Sequence, residues 1–90
     1  MTRILHLTLH RQWFDSIVKG EKTEEYREIK PYWSKRISGK EYDEIHFTNG
    51  YGKDKPFMRV EYKGYEVKTW LGTPVYALKL GKILEVRNYA

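Results

Sequence analysis

Apolar and polar residues alternate at the start of the chain. Leucines stand at every second position, at Leu5, Leu7 and Leu9, and the positions between them include His6 and Thr8. A period of two is typical of a β-strand that buries one face. We therefore expect a strand over residues 3–9 that packs mainly on one side.

The period changes after this strand. Trp13, Phe14, Ile17 and Val18 have the spacing that places apolar side chains on one stripe of a helix. Gly20 follows, and glycine readily takes the left-handed conformation in which many helices end. The pattern predicts a first helix over residues 10–19 that stops at Gly20.

The central part of the chain predicts two strands separated by a short helix. Residues 23–28 are expected to be extended, and residues 42–48 alternate with Ile45 and Phe47 facing inward. Between them, Pro31 suits the first position of a helix and Gly39 suits its end.

The last third of the chain predicts long strands. The segment NGYGKDKP, residues 49–56, is rich in turn formers and lysine, which indicates an exposed loop. In the strand that follows, to about residue 70, apolar positions are even-numbered up to Tyr62 and odd-numbered from Tyr65. This slip near Gly64 is typical of a bulge or sharp bend. After a turn at LGTP we expect one or two final strands, with a kink permitted at Gly81.

Together these elements predict an α+β fold. About five or six strands with two short early helices suit a small, curled, barrel-like sheet with a helix against its open end. A chain of 90 residues is enough for a single domain with one modest core. Any site must then be built from a few side chains on one scaffold.

Composition narrows the expected partners. Seventeen Lys and Arg against twelve Asp and Glu give a formal charge of +5, which favours a polyanionic partner without identifying one. Eight Tyr, three Trp and three Phe are more rings than one small core must bury. Some of them are expected at the surface, either stacking on a partner or simply keeping a hydroxyl in water.

Several classes of site are not expected. Without cysteine there is no disulfide framework, thiolate zinc site or thiol nucleophile, and the cytoplasm is the expected location. The histidines His6, His10 and His46 lack metal-ligand spacing. No apolar run is long enough to cross a membrane, and no phosphate-binding or dinucleotide glycine motif occurs, so no membrane, metal or cofactor is expected.

Charge is concentrated in the segment GEKTEEYRE, residues 20–28, which holds four glutamates, a lysine and an arginine. On a strand, Thr23, Glu25 and Arg27 share one face. Glu25 and Arg27 can then brace each other through a charge-assisted hydrogen bond, with Lys22 over the same opening. Such a group can hold a phosphate or a base edge and can transfer protons. The alternative is an edge strand blunted by charge.

Two other segments are candidates for binding. Tyr32 and Trp33 lie among basic residues, a combination suited to single-stranded nucleic acid, although Trp33 with Ile37 also has the spacing of a helix anchor on the core. In the loop, Asn49 can bond a base edge, Tyr51 can stack, and Lys53 and Lys55 can meet phosphates. The alternative is that Asn49 and the following glycine only form a tight turn.

The order of strand, helix with WFDSIVKG and then GEKTEEYR resembles the ASCH family, which is related to PUA domains. The hallmark of that family, G-x-K-x-x-E-x-R directly after the first helix, matches Gly20, Lys22, Glu25 and Arg27. The segments EIKPYW, FTNGY and LKLGKILE are similar to small phage and bacterial members. The resemblance implies a β-barrel with flanking helices and a cleft beside the motif that accepts RNA or a nucleotide.

Some members of the ASCH family are enzymes. Its acetylcytidine amidohydrolases use a motif lysine, a threonine and a later glutamate, and the lysine matches Lys22. Glu25 stands at the place of the threonine, Thr23 is out of register, and no helix follows the long strand to supply the third residue. Other relatives are ribonucleases, for which Lys22 and Glu25 would be the acid–base pair.

The sequence therefore predicts a domain that binds RNA or a nucleoside beside this motif. The alternatives are a hydrolase of modified nucleosides or a weak ribonuclease, with Lys22 and Glu25 catalytic, and a small adaptor that meets another protein through exposed tyrosines. The predicted ligand-binding residues are Lys22, Thr23, Glu25, Arg27, Tyr32, Asn49, Tyr51 and Lys53.

Overall fold

The structure is a computed structural model that describes residues 2–50 and 54–89. Within these ranges the chain forms five strands and two helices, which confirms the predicted α+β class. The elements in chain order are β1 (Ile4–Leu9), α1 (Arg11–Val18), β2 (Glu24–Glu28), α2 (Pro31–Ile37), β3 (Glu44–Asn49), β4 (Phe57–Trp70) and β5 (Thr73–Arg87).

The strands form one sheet in the order β1-β3-β4-β5-β2. β1 pairs with β3 in parallel, and the remaining neighbours are antiparallel. β1 and β2 are therefore the two edges, and no backbone ladder joins them in the described residues. The expected barrel is not confirmed, because the sheet stays open along this line.

One side chain spans the open line between the two edges. The Nη2 of Arg27 in β2 donates a hydrogen bond of 3.2 Å to the carbonyl oxygen of Thr8 in β1. The edges therefore approach each other without pairing. We call this region, where Thr8 and Arg27 meet, the seam.

The core lies between the sheet and the helices. Leu5, Leu7 and Leu9 are buried, as their alternation predicts, and α1 adds Phe14 and Ile17. The predicted helix stripe is wrong for Trp13, which is 39% exposed. The reason is geometric: neighbouring residues on a helix point about 100° apart, so with Phe14 directed into the core, Trp13 lies at the stripe's edge.

The predicted bend in the long strand is present. The β4–β5 register shifts between Tyr62 and Tyr65, and Gly64 has a φ of 98°. A positive φ is readily taken by glycine, because it has no Cβ. β5 then continues as one strand to Arg87. Among the described helices, none has the length and apolar character needed to cross a membrane.

Candidate functional site

The turn after α1 positions Lys22 and the start of β2. Gly20 takes a φ of 77°, and the backbone N–H groups of Glu21 and Lys22 both donate to the carbonyl oxygen of Ser16, at 2.9 and 3.1 Å. The helix end is therefore closed by hydrogen bonds, as such ends require. This turn delivers Lys22 directly in front of β2.

Pairing of β2 with β5 directs Glu25 and Arg27 inward. Glu25 lies opposite Leu78 and Arg27 opposite Tyr76. Directly opposed residues of antiparallel strands share a face, and both partners on β5 belong to the hydrophobic core cluster. The face that carries Glu25 and Arg27 is therefore the core side of the sheet.

Lys22, Glu25 and Arg27, which we call the charged triad, come together there. Glu25 Oε2 accepts a hydrogen bond of 2.7 Å from Arg27 Nη2, and Glu25 Oε1 lies 3.4 Å from Lys22 Nζ. The side chains are only 8% exposed for Glu25 and 16% for each cation. A buried carboxylate is tolerated only when it is paired and hydrogen-bonded, and here both oxygens meet a cation.

Arg27 makes further contacts at the seam. Its guanidinium carbon lies 4.9 Å from the centre of the Trp33 ring on α2, within the usual range of a cation–π contact. Its Nε is buried and has no hydrogen-bond partner among the described residues. Trp33 packs partly against the core, as expected for a helix anchor, but it also supports the guanidinium, which the sequence did not indicate.

The Lys22 ammonium is enclosed by two rings. Its Nζ lies 5.2 Å from the ring centre of Trp13 and 4.9 Å from that of Tyr26. Cation–π contacts of this length hold an ammonium in place. The apolar stripe of the first helix predicts that Trp13 packs in the core, and no pattern predicts a role for Tyr26, so the sequence identifies neither ring as a site residue. The available signal was the pair Trp13–Phe14, of which only one ring can face the core.

A cleft of about 500 Å³ opens at the seam. This volume lies within the range of small-ligand sites, about 300–1,000 Å³. Glu25 and Arg27 supply charged groups to its wall. The lining residues come from the end of β1, the start of α1, the middle of β2 and the end of β3: Thr8, Leu9, His10, Arg11, Trp13, Glu25, Tyr26, Arg27, Asn49 and Gly50.

Lys22 lies beside this cleft and not in its wall. It lines an adjoining pocket of about 140 Å³ together with Trp13, Glu25, Tyr26 and Trp70, which we call the tryptophan pocket. The Lys22–Glu25 pair therefore stands between two cavities. The triad lies together as its spacing predicts, but its members line more than one opening: Glu25 and Arg27 line the cleft, and Lys22 and Glu25 line the tryptophan pocket.

The other predicted binding residues are dispersed. Asn49 lines the cleft, but its Nδ2 donates to the carbonyl oxygen of Leu9 at 3.0 Å and so ties β3 to β1. Thr23 is exposed and lines a third cavity, of about 390 Å³, which Lys22 also lines but Glu25 and Arg27 do not. Tyr32 is 57% exposed outside the cleft and contacts Trp33 edge-on at 4.8 Å. Tyr51 and Lys53 lie outside the described residues.

Hydrogen bonds at its hydroxyl group hold the Tyr26 side chain in place. Its hydroxyl donates to Glu24 Oε1 at 3.0 Å, and Glu24 also accepts from Lys68 Nζ at 3.1 Å. The hydrogen bond from Lys68 holds the pKa of the Glu24 carboxyl below its usual value. Burial, together with the bond to Glu24, raises the pKa of the Tyr26 hydroxyl. Tyr26 thus stays neutral and in place at neutral pH.

A strained turn between β4 and β5 directly follows Trp70, which lies beside Tyr26. Trp70 is 45% exposed, and its ring centre lies 5.3 Å from that of Tyr26. The β4–β5 turn has positive φ at both Leu71 (50°) and Gly72 (78°). A type I′ turn requires this and usually carries Asn-Gly. Leu71 takes the position despite its Cβ, and it is 83% exposed.

The chemistry available at the site is recognition of polar, planar or anionic groups. The charged triad offers donors and acceptors to a base edge or a phosphate. The rings of Trp13, Tyr26 and Trp70 offer faces on which a planar group can stack. In the described part of the chain, no group of three or more potential ligands could hold a metal ion.

Comparison of the chain with protein-family models, curated proteins and solved structures found no match.

Proposed function

We propose that this chain is an ASCH-like domain that binds RNA, or a nucleoside-sized part of it, in the cleft at the seam. The observation that carries the proposal is the burial of Glu25 between Lys22 and Arg27 at the wall of a ligand-sized cleft. In this proposal, the open five-stranded sheet corresponds to the family's barrel, with the seam as its ligand entrance.

The energetics of burial favour a binding role over a structural one. Replacing a buried ion pair by apolar residues of similar volume is often neutral or stabilising, by about 1–4 kcal/mol. A charged triad is therefore a poor way to stabilise a small core. Because the triad lies beside an open cleft, its position supports a role in binding a ligand.

Each member of the triad has a role that fits its chemistry. Arg27 presents a planar, permanently charged group that orients a base edge or phosphate. Glu25 braces Arg27 and accepts from base N–H groups. Lys22 meets a phosphate or carbonyl as a point charge. The net charge of +5 draws a polyanion to the surface without selecting its sequence.

An enzyme is the second candidate, favoured by the Lys22–Glu25 distance of 3.4 Å. A lysine and a carboxylate in contact can act as an acid–base pair in RNA cleavage, one group taking the proton of the attacking hydroxyl and the other giving a proton to the leaving oxygen. Amide hydrolysis fits less well, because Glu25 stands at the place of the expected hydroxyl, and Thr23 is out of register although it lines the same cavity as Lys22. Turnover of acetylated cytidine or cleavage of RNA that is abolished in Lys22→Ala but retained in Lys40→Ala would favour the enzyme.

The test of binding is a thermal-shift screen of nucleosides and short single-stranded RNAs. Any ligand that binds only the folded state raises the melting temperature. At a ligand concentration about one hundred times its Kd, the free energy of unfolding increases by about 2.7 kcal/mol. We expect stabilisation in the wild-type protein and in Arg3→Ala, and its loss in Arg27→Ala. Arg3 is a matched control, because it lies just before β1, at the end of that strand away from the seam, and is 55% exposed. Absence of stabilisation by every nucleoside and RNA would overturn the proposal.

A further inference from the structure

The tryptophan pocket is a second cavity beside the cleft, and the function proposed above gives it no role. Trp13 comes from α1, Tyr26 from β2 and Trp70 from the end of β4, and all three side chains face one cavity of about 140 Å³. Lys22 and Glu25 form its polar side. Three separate elements thus converge on one pocket with aromatic walls.

The two tryptophans are not used for the core. Trp13 and Trp70 are 39% and 45% exposed, whereas Phe14 and Phe47 are completely buried. The turn beyond Trp70 holds Leu71 in a conformation that residues with a Cβ rarely adopt. An outlier of this kind is a reason to look for function, and here it lies next to a ring that faces an open cavity.

We propose that the tryptophan pocket stacks the base of a second nucleotide, adjacent to the one held in the cleft. The ligand is then a single-stranded oligonucleotide of at least two nucleotides and not a free nucleoside. This inference rests on the proposed function and specifies its ligand class. Stacking suits any base, because every base has a π face.

The position of the charged triad supports two linked nucleotides. The cleft and the tryptophan pocket share Trp13, Glu25 and Tyr26, so they are immediate neighbours. The cleft alone, at about 500 Å³, is large enough for one nucleoside. Lys22 lines the pocket side of the boundary, where an ammonium can meet the phosphate that links two nucleotides.

The pocket walls are held in place before any ligand arrives. The Tyr26 hydroxyl is fixed by Glu24, which Lys68 holds in turn. The Lys22 ammonium is fixed by Glu25 and by the two rings of Trp13 and Tyr26. Preformed walls reduce the entropy lost on binding.

The test compares the affinities of the protein for uridine monophosphate, for the uridine dinucleotide and for the uridine tetranucleotide. Affinities are measured by quenching of tryptophan fluorescence, with calorimetry as a check. We expect the dinucleotide to bind more tightly than the mononucleotide by roughly 5- to 150-fold, the range that stacking one base on an aromatic ring provides. In Trp70→Ala, dinucleotide affinity should fall to the mononucleotide level, while mononucleotide affinity stays unchanged. Trp70→Phe should retain most of the gain.

The outcomes separate this inference from the proposed function. If the mononucleotide binds in an Arg27-dependent way but the dinucleotide gains nothing, or Trp70→Ala weakens both equally, the second subsite is overturned and the cleft remains. If neither ligand binds, both proposals are overturned. Binding of an apolar peptide through Trp70, without any oligonucleotide binding, would mark a protein-docking surface and also overturn the inference.

A second measurement does not depend on the folding of the alanine variant. In the double variant Trp13→Phe/Trp33→Phe, Trp70 is the only tryptophan left in the chain. Its emission should be quenched by the dinucleotide and unchanged by the mononucleotide. Quenching by neither, under conditions in which calorimetry shows dinucleotide binding, would place the second base elsewhere and overturn the inference.

Discussion

Replacing Glu25 by glutamine removes the single carboxylate between two cations while keeping the shape of the side chain. In the native protein its oxygens lie 2.7 Å from Arg27 Nη2 and 3.4 Å from Lys22 Nζ. All three side chains are at least four-fifths buried, with 8% exposure for Glu25 and 16% for each cation. The variant therefore leaves two mostly buried positive charges facing a neutral amide.

The expected loss of stability is about 3 kcal/mol. Removing one partner of a buried ion pair costs about 3–5 kcal/mol, because the remaining charge is left uncompensated. The lower end applies here, since the Lys22 and Arg27 charges keep contacts with aromatic rings. For a domain of this size, 1 kcal/mol lowers the melting temperature by roughly 4–8 °C, so a decrease of roughly 12–24 °C is expected.

The assay is urea and thermal unfolding followed by circular dichroism, with Glu28→Gln as the matched control. The Glu28 side chain is 56% exposed, and its only ion-pair partner among the described residues is Lys30, at 3.2 Å, so its loss should cost less than about 1 kcal/mol. The double variant Glu25→Gln/Lys22→Met should recover part of the stability, because it also removes one of the two cations. If Glu25→Gln is no more destabilising than Glu28→Gln, the carboxylate is not the centre of a buried charge cluster.

The remaining predictions concern Tyr62 and the β4–β5 turn. Tyr62 has a buried hydroxyl with no partner among the described residues, so Tyr62→Phe should raise the free energy of unfolding by about 1 kcal/mol; a decrease in urea titrations would contradict this. Burial raises the pKa of Tyr62 from 10.0 to about 12. The unfolded state then ionises first, and stability should fall as pH rises through this interval, by up to about 3 kcal/mol. Tyr62→Phe should show a smaller fall over the same interval, and equal falls would refute the assignment. Leu71→Asn should raise the melting temperature by roughly 4–8 °C, because asparagine relieves about 1 kcal/mol of left-handed strain; no change would indicate an unstrained turn.

Elements that depend on local sequence were predictable. The alternation of Leu5, Leu7 and Leu9 requires one buried face, and the structure has it. The change of parity between Tyr62 and Tyr65 predicted the bend at Gly64, because a slip in a period of two must be absorbed by the backbone. The meeting of Glu25 with Arg27 also followed from their separation by two positions on one strand.

Features that depend on strand order were not predictable. Trp13 and Trp70 lie at one pocket because β2 pairs with β5 and β5 with β4. No local pattern specifies that arrangement. The open seam has the same origin, since β1 and β2 become the edges only after the whole sheet is assembled. Roles of Tyr51 and Lys53 in binding stay predictions, because these residues lie outside the described ranges.

The central claim is that the charged triad at the seam binds single-stranded RNA, and a salt titration of affinity tests it most directly. A fluorescently labelled tetranucleotide is titrated with the wild-type protein, Arg27→Ala and Arg3→Ala over a range of salt concentrations, with folding checked by circular dichroism. We expect Arg27→Ala to bind roughly 10- to 150-fold more weakly, as loss of a charged hydrogen bond implies. Its slope of log K against log salt should be shallower by about 0.7 if Arg27 meets a phosphate, whereas Arg3→Ala should match the wild type. Equal affinities for Arg27→Ala and Arg3→Ala, or no binding by the wild type at low salt, would contradict the account.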